Sequence, residues 1–538
     1  MEQVSSSSTS PTSQTRKTIP IWPFPLRLIC EIFILVLFFV VLFIFALKWP
    51  DTENKIHGII LSKTRLAPMS DGNISWMNPP VTTIREYRLF NITNYMDIMT
   101  DTNSPLMEFR ETEPFPYKVV VKKNNVEWLN NNTQIHYSIE RIFTRDGEYK
   151  QSLLDQEGAF VDILRVMFRT KFSRIADPIF YILGGNNAFN YSKAIDKLEG
   201  YISPIFAAIS SRMQGPNKEK YGFIYRTNGT NGFNYTIHNG INNLTIKGQM
   251  IDFASEYTTF KTASEDWQTD IFDGLTFPAL GNPPNRKVIN VFQPDFCRPL
   301  QLRYNRTVAA FGFGQLHEYV LKLVDFEKCP EMDENCPEAD KLDITKCLSG
   351  RLILITKMNA EIPEETIFLS KPHFYGHNSS STNVNFKPDF HQHESTIYFE
   401  PLTGTPVRAQ LRIQLNTNAW IDRLKLNADG STDPTRTRAV RRFVPMVWID
   451  QLINLNHEPL NRLQRASYML GKFHYVHQLL KLGYIIFACL LLISIVIVIE
   501  LFLLNRRNKM NKDVLYQPSK DQEKELLSPT KASTMTTA

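Results

Sequence analysis

Two long apolar runs bracket the chain. From Leu28 to Leu47 it reads LICEIFILVLFFVVLFIFAL, with one charge, Glu31, near the start. From Leu482 to Ile499 it reads LGYIIFACLLLISIVIVI, with none. A helix of about 20 apolar residues crosses the roughly 30 Å hydrocarbon core of a bilayer, so both runs predict membrane spans. The first is too long and too late for a signal peptide, and no small-residue cleavage site follows it. It ends instead in Lys48-Trp49-Pro50, an interfacial pattern. Between the runs the pattern changes to short apolar stretches separated by turn clusters. Examples are YKVVV (117–121), NGTNGFNYTIHNG (228–240), RLILIT (351–356) and AQLRIQL (409–415). That spacing predicts a mainly β body. One region departs from it. In residues 158–178, Phe160, Leu164, Phe168, Phe172 and Ile175 recur near helical spacing, and Asp177-Pro178 closes the pattern. A second helical stretch is predicted over 191–213.

Flanking charge orients the spans. Arg16, Lys17 and Arg27 precede the first, and Arg506, Arg507, Lys509 and Lys512 follow the second. The positive-inside rule then places both tails in the cytoplasm. The expected organisation is a tail at 1–27, a span at 28–48, an extracellular or luminal segment at 49–481, a span at 482–504 and a tail at 505–538. Glycosylation sequons agree with it. Asn73, Asn91, Asn131, Asn190, Asn228, Asn234, Asn243, Asn305 and Asn378 begin Asn-x-Ser/Thr, all between the spans. The net charge of +6 is too mild and too dispersed for nucleic-acid binding.

Of six cysteines, Cys30 and Cys489 fall in the predicted spans, while Cys297, Cys329, Cys336 and Cys347 lie in the outside segment. An even count in an oxidising compartment reads as two disulfides with three conceivable pairings; in the nested one, Cys329–Cys336 closes a short loop. The spacing CPEMDENC does not fit a zinc site, and the acidic residues within it lack the features of an EF-hand loop. His391-Gln-His393, with His373 and His377 nearby, is the best metal candidate, but a solvent-facing polar strand end outweighs it. No nucleophile elbow, P-loop, zincin or dinucleotide-binding motif occurs, so no enzyme activity and no cofactor is expected. The helical stretch at 158–178 is basic. Arg165 and Arg169 are four apart and project together, and Lys171 and Arg174 form a second pair. Such a face suits anionic ligands.

Read in order, the outside segment resembles the class B scavenger receptors, the fatty-acid-translocase family. The residues that carry the resemblance are LFNITN (89–94), ETEPFPYKV (111–119), FDGLTFPAL (272–280), FQPDFCRPL (292–300), KLDITKC (341–347), LSKPHF (369–374), EPLTG (400–404) and VPMVW (444–448). Phe115-Pro116 departs from the family's usual spacing. The resemblance implies an α+β ectodomain with an antiparallel β-barrel core, an apical helical bundle and an internal lipid tunnel, anchored by two transmembrane helices. It implies the pairings Cys297–Cys347 and Cys329–Cys336. It places Arg165, Arg169, Lys171 and Arg174 at the family's ligand-binding apex, and it makes lipids, fatty acids, lipoproteins or anionic phospholipid the expected partners, with self-association as a further one. The expected function is a cell-surface receptor that captures anionic lipid and passes it through the tunnel to the membrane.

Two rivals differ in class. A lysosomal cargo-enzyme receptor or sterol exporter shares the family. Releasing cargo in acid would favour an apical histidine, and none stands between His136 and His238. Leu526-Leu527 in DQEKELLSP forms an imperfect sorting signal, because Gln522 occupies the position that normally carries the acid. A two-span ion channel shares the topology, but these spans are bulky and apolar apart from Glu31 and Glu500 near their ends.

Overall fold

The computed structural model describes residues 24–100, 106–171, 188–202, 220–225, 227–255, 259–261, 270–296, 298–323, 342–344, 366–376, 386–426 and 432–515. The chain divides into two compact units. One comprises residues 1–56 with 470–538, the other His57–Met469.

In the second unit the strands run β1 (Val81–Ile92), β2 (Phe109–Glu111), β3 (Phe115–Leu129), β4 (Gln134–Arg145), β5 (Glu157–Val161), β6 (Phe189–Lys193), β7 (Thr230–His238), β8 (Met250–Ser255) and β9 (Thr259–Lys261). They continue as β10 (Ile271–Phe272), β11 (Val288–Gln293), β12 (Arg298–Ala310), β13 (Phe313–Lys322), β14 (Leu342–Asp343), β15 (Ile367–Ser370), β16 (Thr396–Glu400), β17 (Thr405–Leu426) and β18 (Thr432–Leu455). All but β5 and β6 join one sheet with the path β10-β11-β12-β13-β16-β17-β18-β1-β3-β4-β7-β8-β9. Its pairings are antiparallel except β10 with β11. The sheet curls until its two ends nearly meet. Gln249 bridges Phe272, and the Asp273 N–H donates to the Gly248 carbonyl at 3.0 Å. The result is a nearly closed β-barrel.

Strand alternation sets the interior. Along β1, Thr83, Arg85, Tyr87 and Leu89 are buried, while Ile84, Glu86 and Arg88 between them are half-buried. Successive side chains of a strand point to opposite faces, so these four share the inner one. Tyr319, Phe399 and Phe277 build part of the core, with ring centroids 5.4 Å and 5.0 Å apart. Two of the motifs quoted above meet at its edge. The Leu280 and Gly281 N–H groups donate to the Pro401 carbonyl at 2.9 and 3.0 Å. Gly404 lies at φ +71, and a Cβ there would fall 1.8 Å from the Pro278 carbonyl oxygen, so only glycine lets the two segments touch.

Helices α1 (Phe24–Lys63), α2 (Asp71–Met77), α3 (Ile163–Lys171), α4 (Ala194–Glu199), α5 (Phe390–His393) and α6 (His457–Leu515) position the rest. The helix expected from residue 158 is shorter at its start. Residues 158–161 belong to β5, which pairs with β6. The chain is held extended because the Ala159 N–H donates to Asn91 Oδ1 at 2.9 Å, and helix begins only after Asp162, which caps the Arg165 N–H. Likewise 191–193 continue β6, and α4 stops at Gly200, φ +114. Residues 172–187 and 203–219 lie outside the described residues, as does RLILIT.

In the first unit, Phe39 of α1 stacks on Phe487 of α6 at 4.3 Å and on Tyr484 at 5.6 Å. The apolar side chains from Phe33 to Leu37 and from Leu490 to Leu504 point outward. Among the described residues, the stretch His457–Asn508 is long and apolar enough to cross a membrane.

Candidate functional site

The barrel wall carries a pocket of ≈ 70 Å³, partly open to solvent. Its apolar wall comes from the two longest strands. Leu411, Ile413 and Leu415 of β17 face it, with Ile449 opposite Ile413 and Gln451 opposite Leu411 on β18. Phe223 and Phe296 close another side. At one end the lining becomes polar through Arg85, Tyr87, Gln293 and Asp295.

The polar end is organised around Asp295. Arg141 Nη1 donates to its Oδ1 at 2.5 Å, and Arg85 Nη2 lies 3.4 Å from its Oδ2. Arg85 also donates through Nε to Gln451 Oε1 at 2.7 Å and through Nη1 to Tyr87 Oη at 3.4 Å. Its guanidinium stands 5.3 Å over the Phe143 ring. Burial alone would lower the pKa of Arg85, but Tyr87 and Asp295 outweigh burial and raise it, so the side chain stays cationic. Three of the five N–H groups that a guanidinium offers are engaged, one by a carboxylate already shared with Arg141. A buried cation with spare donors at the end of an apolar cavity suits the charged head of an amphiphile.

The basic residues singled out in the sequence sit differently. Arg165 and Arg169 project together on α3, as their spacing requires, but α3 packs on β17, which leaves Arg169 buried and Arg165 half-buried. Arg165 Nε lies 3.4 Å from Asp162 Oδ2, and Arg169 Nη1 donates to the Trp420 carbonyl at 3.4 Å. Asp162 is fully buried and also accepts from the Tyr201 hydroxyl at 2.8 Å. Lys197, invisible to the motif reading, lies 3.8 Å over the Tyr201 ring, and burial pushes its pKa down to about 8. Of the basic residues expected to present a face at 158–178, Arg169 is thus buried and Arg165 half-buried against Asp162. The hydrophobic side of this amphipathic helix is wide enough to draw both stems under the surface. The side chain of Lys171, all of Arg174, Cys297, Cys329, Cys336, Cys347, Asn378, Leu526 and Leu527 lie outside the described residues. Among the sequons, Asn131, Asn228, Asn234, Asn243 and Asn305 are exposed, Asn91 and Asn190 are half-buried, and Asn73 is buried in α2.

The histidine group occupies the outer face of β17 and β18. His391 and His393 stand not on a strand but on α5, which Asp389 caps through the Gln392 N–H at 3.0 Å. His393 is buried, its ring 4.1 Å from that of His373. His373 Nε2 bonds Glu111 Oε1, the oxygen to which Trp448 Nε1 donates at 2.9 Å. Among the described residues no three His, Cys, Asp or Glu side chains converge to hold a metal.

Arg85 could have been found from the sequence by one rule. In TTIREYRLF an arginine alternates onto the same face as Tyr87 and Leu89, an inward charge that demands a function or a partner.

The comparisons with known proteins agree with this architecture. The sequence pattern of the CD36 family matches residues 32–499. Lysosome membrane protein 2 of Rattus norvegicus is 22% identical over 72% of this chain and 78% of its own length. Sensory neuron membrane protein 1 is 28% identical in Heliothis virescens, over 49% of this chain and 47% of the relative. In Mamestra brassicae it is 27% identical over 44% and 41%. The chain thus spans less than half the length of the sensory neuron membrane proteins it matches. With a family match over most of its length, the chain belongs to the CD36 family, the class B scavenger receptors.

Proposed function

We propose that this chain is a membrane-anchored lipid receptor whose barrel cavity takes an amphiphile with an anionic head, the head at Arg85 and the chain along Leu411, Ile413, Leu415 and Ile449. The observation that carries this reading is the cavity itself, apolar along β17 and β18 and cationic at one end. Each methylene moved from water to such a wall contributes about 0.8 kcal/mol, so the tail supplies affinity and the guanidinium sets polarity and orientation. Transfer onward into a bilayer needs no energy source, since the tail leaves one apolar medium for another.

Two spans at 28–48 and 482–504 with both tails in the cytoplasm hold the receptor at the membrane in this reading. The stacking of Phe39 on Phe487 supports them as a pair. The four outside cysteines form Cys297–Cys347 and Cys329–Cys336, and the protein works at the plasma membrane or in endosomes reached through Leu526-Leu527. Anionic lipid, fatty acid or lipoprotein is the ligand source.

A photoreactive diazirine fatty acid tests the cavity directly. Irradiated with the purified full-length protein, it is expected to label peptides covering 293–296, 411–415 and 449–451. Labelling confined to the two apolar helices, or none displaced by unlabelled palmitate, would refute the reading.

A further inference from the structure

Two imidazoles packed ring to ring on the outer face of the cavity wall have no task in lipid binding. We propose that His393 and His373, with Glu111, form an acid-released clasp. Protonation frees the pieces 371–376 and 386–394 from β17 and β18, and so loosens the strand pair whose inner face holds the ligand. The link to the cavity rests on the lipid-receptor reading; the clasp itself does not.

The hydrogen bonds assign the protons. The Asp389 N–H donates to His393 Nδ1 at 2.8 Å, so His393 is neutral and carries its proton on Nε2. A second proton on Nδ1 would set two donors face to face and undo the first turn of α5. His373 is a donor through Nε2, because its partner is a carboxylate oxygen. Its Nδ1 is buried and without a hydrogen-bond partner, so a proton there finds no acceptor. If both rings charge, two cations stand 4.1 Å apart, and Glu111 offsets one of them.

The other charged groups around the pair are already committed. Arg412 of β17 binds Asp450 of β18 at 3.1 Å and donates to the His391 and Glu394 carbonyls at 2.6 and 3.1 Å. Lys371 pairs with Glu394 at 2.8 Å, Arg88 of β1 lies 4.5 Å over Trp448, and the Asp389 carboxylate caps α5. Among the described residues, the carboxylates of Asp450 and Glu394 therefore already hold Arg412 and Lys371.

The coupling to the cavity follows from strand alternation. Gln414 accepts from the His373 N–H at 2.9 Å and lies between Ile413 and Leu415, which face the cavity. Its partner across the hairpin is Trp448, which holds Glu111 and precedes the cavity residue Ile449. The clasp therefore grips the outward residues of the strands whose inward residues form the wall.

Burial first, and His373 second, push the pKa of His393 down to about 4 from the ordinary 6.5. A depressed histidine binds its proton more readily when released, so the closed clasp is favoured above about pH 6.5 and loses stability as pH falls toward 4. Between pH 7.4 and 5.0 the opening equilibrium rises at most about 25-fold.

Amide hydrogen exchange on the full-length protein in nanodiscs, corrected for intrinsic rates, is the test. From pH 7.4 to 5.0, peptides covering 371–376 and 389–394 are expected to lose protection by about tenfold or more while β12–β13 peptides do not. His393→Gln is expected to abolish the change, and His457→Gln, on an exposed histidine, to preserve it. Unchanged protection at pH 5.0, or an acid response that survives in both His393→Gln and Glu111→Gln, would overturn the clasp. In parallel, cis-parinarate should dissociate faster at pH 5.0 from the wild type and not from His393→Gln. Equal acid sensitivity in both would overturn the coupling. Failure of cis-parinarate to bind at any pH would count against the cavity reading and leave the exchange result to decide the clasp.

Discussion

Arginines occur at two buried places in this molecule, and their surroundings differ. On α3, which packs on β17, Arg165 meets the buried Asp162, and Arg169 meets the Trp420 carbonyl. On the inner wall, Arg85 faces a cavity and shares Asp295 with Arg141. The first arrangement packs its charges against neighbouring protein groups; the second stands in the lining of a pocket. Sequence spacing emphasised the first because two arginines four apart are conspicuous on a helix. A single arginine in a strand is easily passed over, yet its place on the inward face gives it more chemical scope.

Substitutions should separate the two. The largest effect is expected from Arg165→Glu, which sets a second carboxylate beside Asp162. Breaking such a buried pair typically costs about 3–5 kcal/mol, read as a lower melting temperature and reduced surface delivery. Affinity per folded molecule should not change, and a selective loss of ligand binding with an unchanged melt would reverse the comparison.

Next, Ile413→Trp should fill the cavity beside Ile449. It is expected to lower the stoichiometry of bound palmitate measured by scintillation proximity, at a stability cost of about 1–3 kcal/mol. Undiminished binding would move the ligand elsewhere. The smallest effect concerns the surface. Glycopeptide mass spectrometry should find high occupancy at the exposed Asn131, Asn234 and Asn243 and none at Asn73, which α2 buries. Full occupancy at Asn73 would mean that α2 packs differently in the mature protein.

Much of this was legible before any coordinates. The ordered motifs placed the chain in its family, and YKVVV and AQLRIQL fell within β3 and β17. The helix at 158–178 was misjudged at its start because apolar spacing alone cannot register a hydrogen bond from Ala159 to Asn91, 68 residues away in sequence. His391 and His393 were read as a strand end for a similar reason. The turn depends on the Asp389 cap and on a stacking partner, His373, brought in from another segment. Nothing local in FQPDFCRPL announces that Asp295 will receive two arginines from β1 and β4.

The most direct measurement compares a fatty acid with the alcohol of the same chain length on wild type and Arg85→Gln, by isothermal titration of the full-length protein. Asp295 keeps Arg141, so the variant should fold with a near-normal melt. Wild type is predicted to prefer the acid by roughly ten- to a hundredfold, the 1.5–3 kcal/mol of a charge-assisted hydrogen bond, and Arg85→Gln to bind both alike. Equal affinity for acid and alcohol in the wild type, or a preference that survives in Arg85→Gln, would contradict the account.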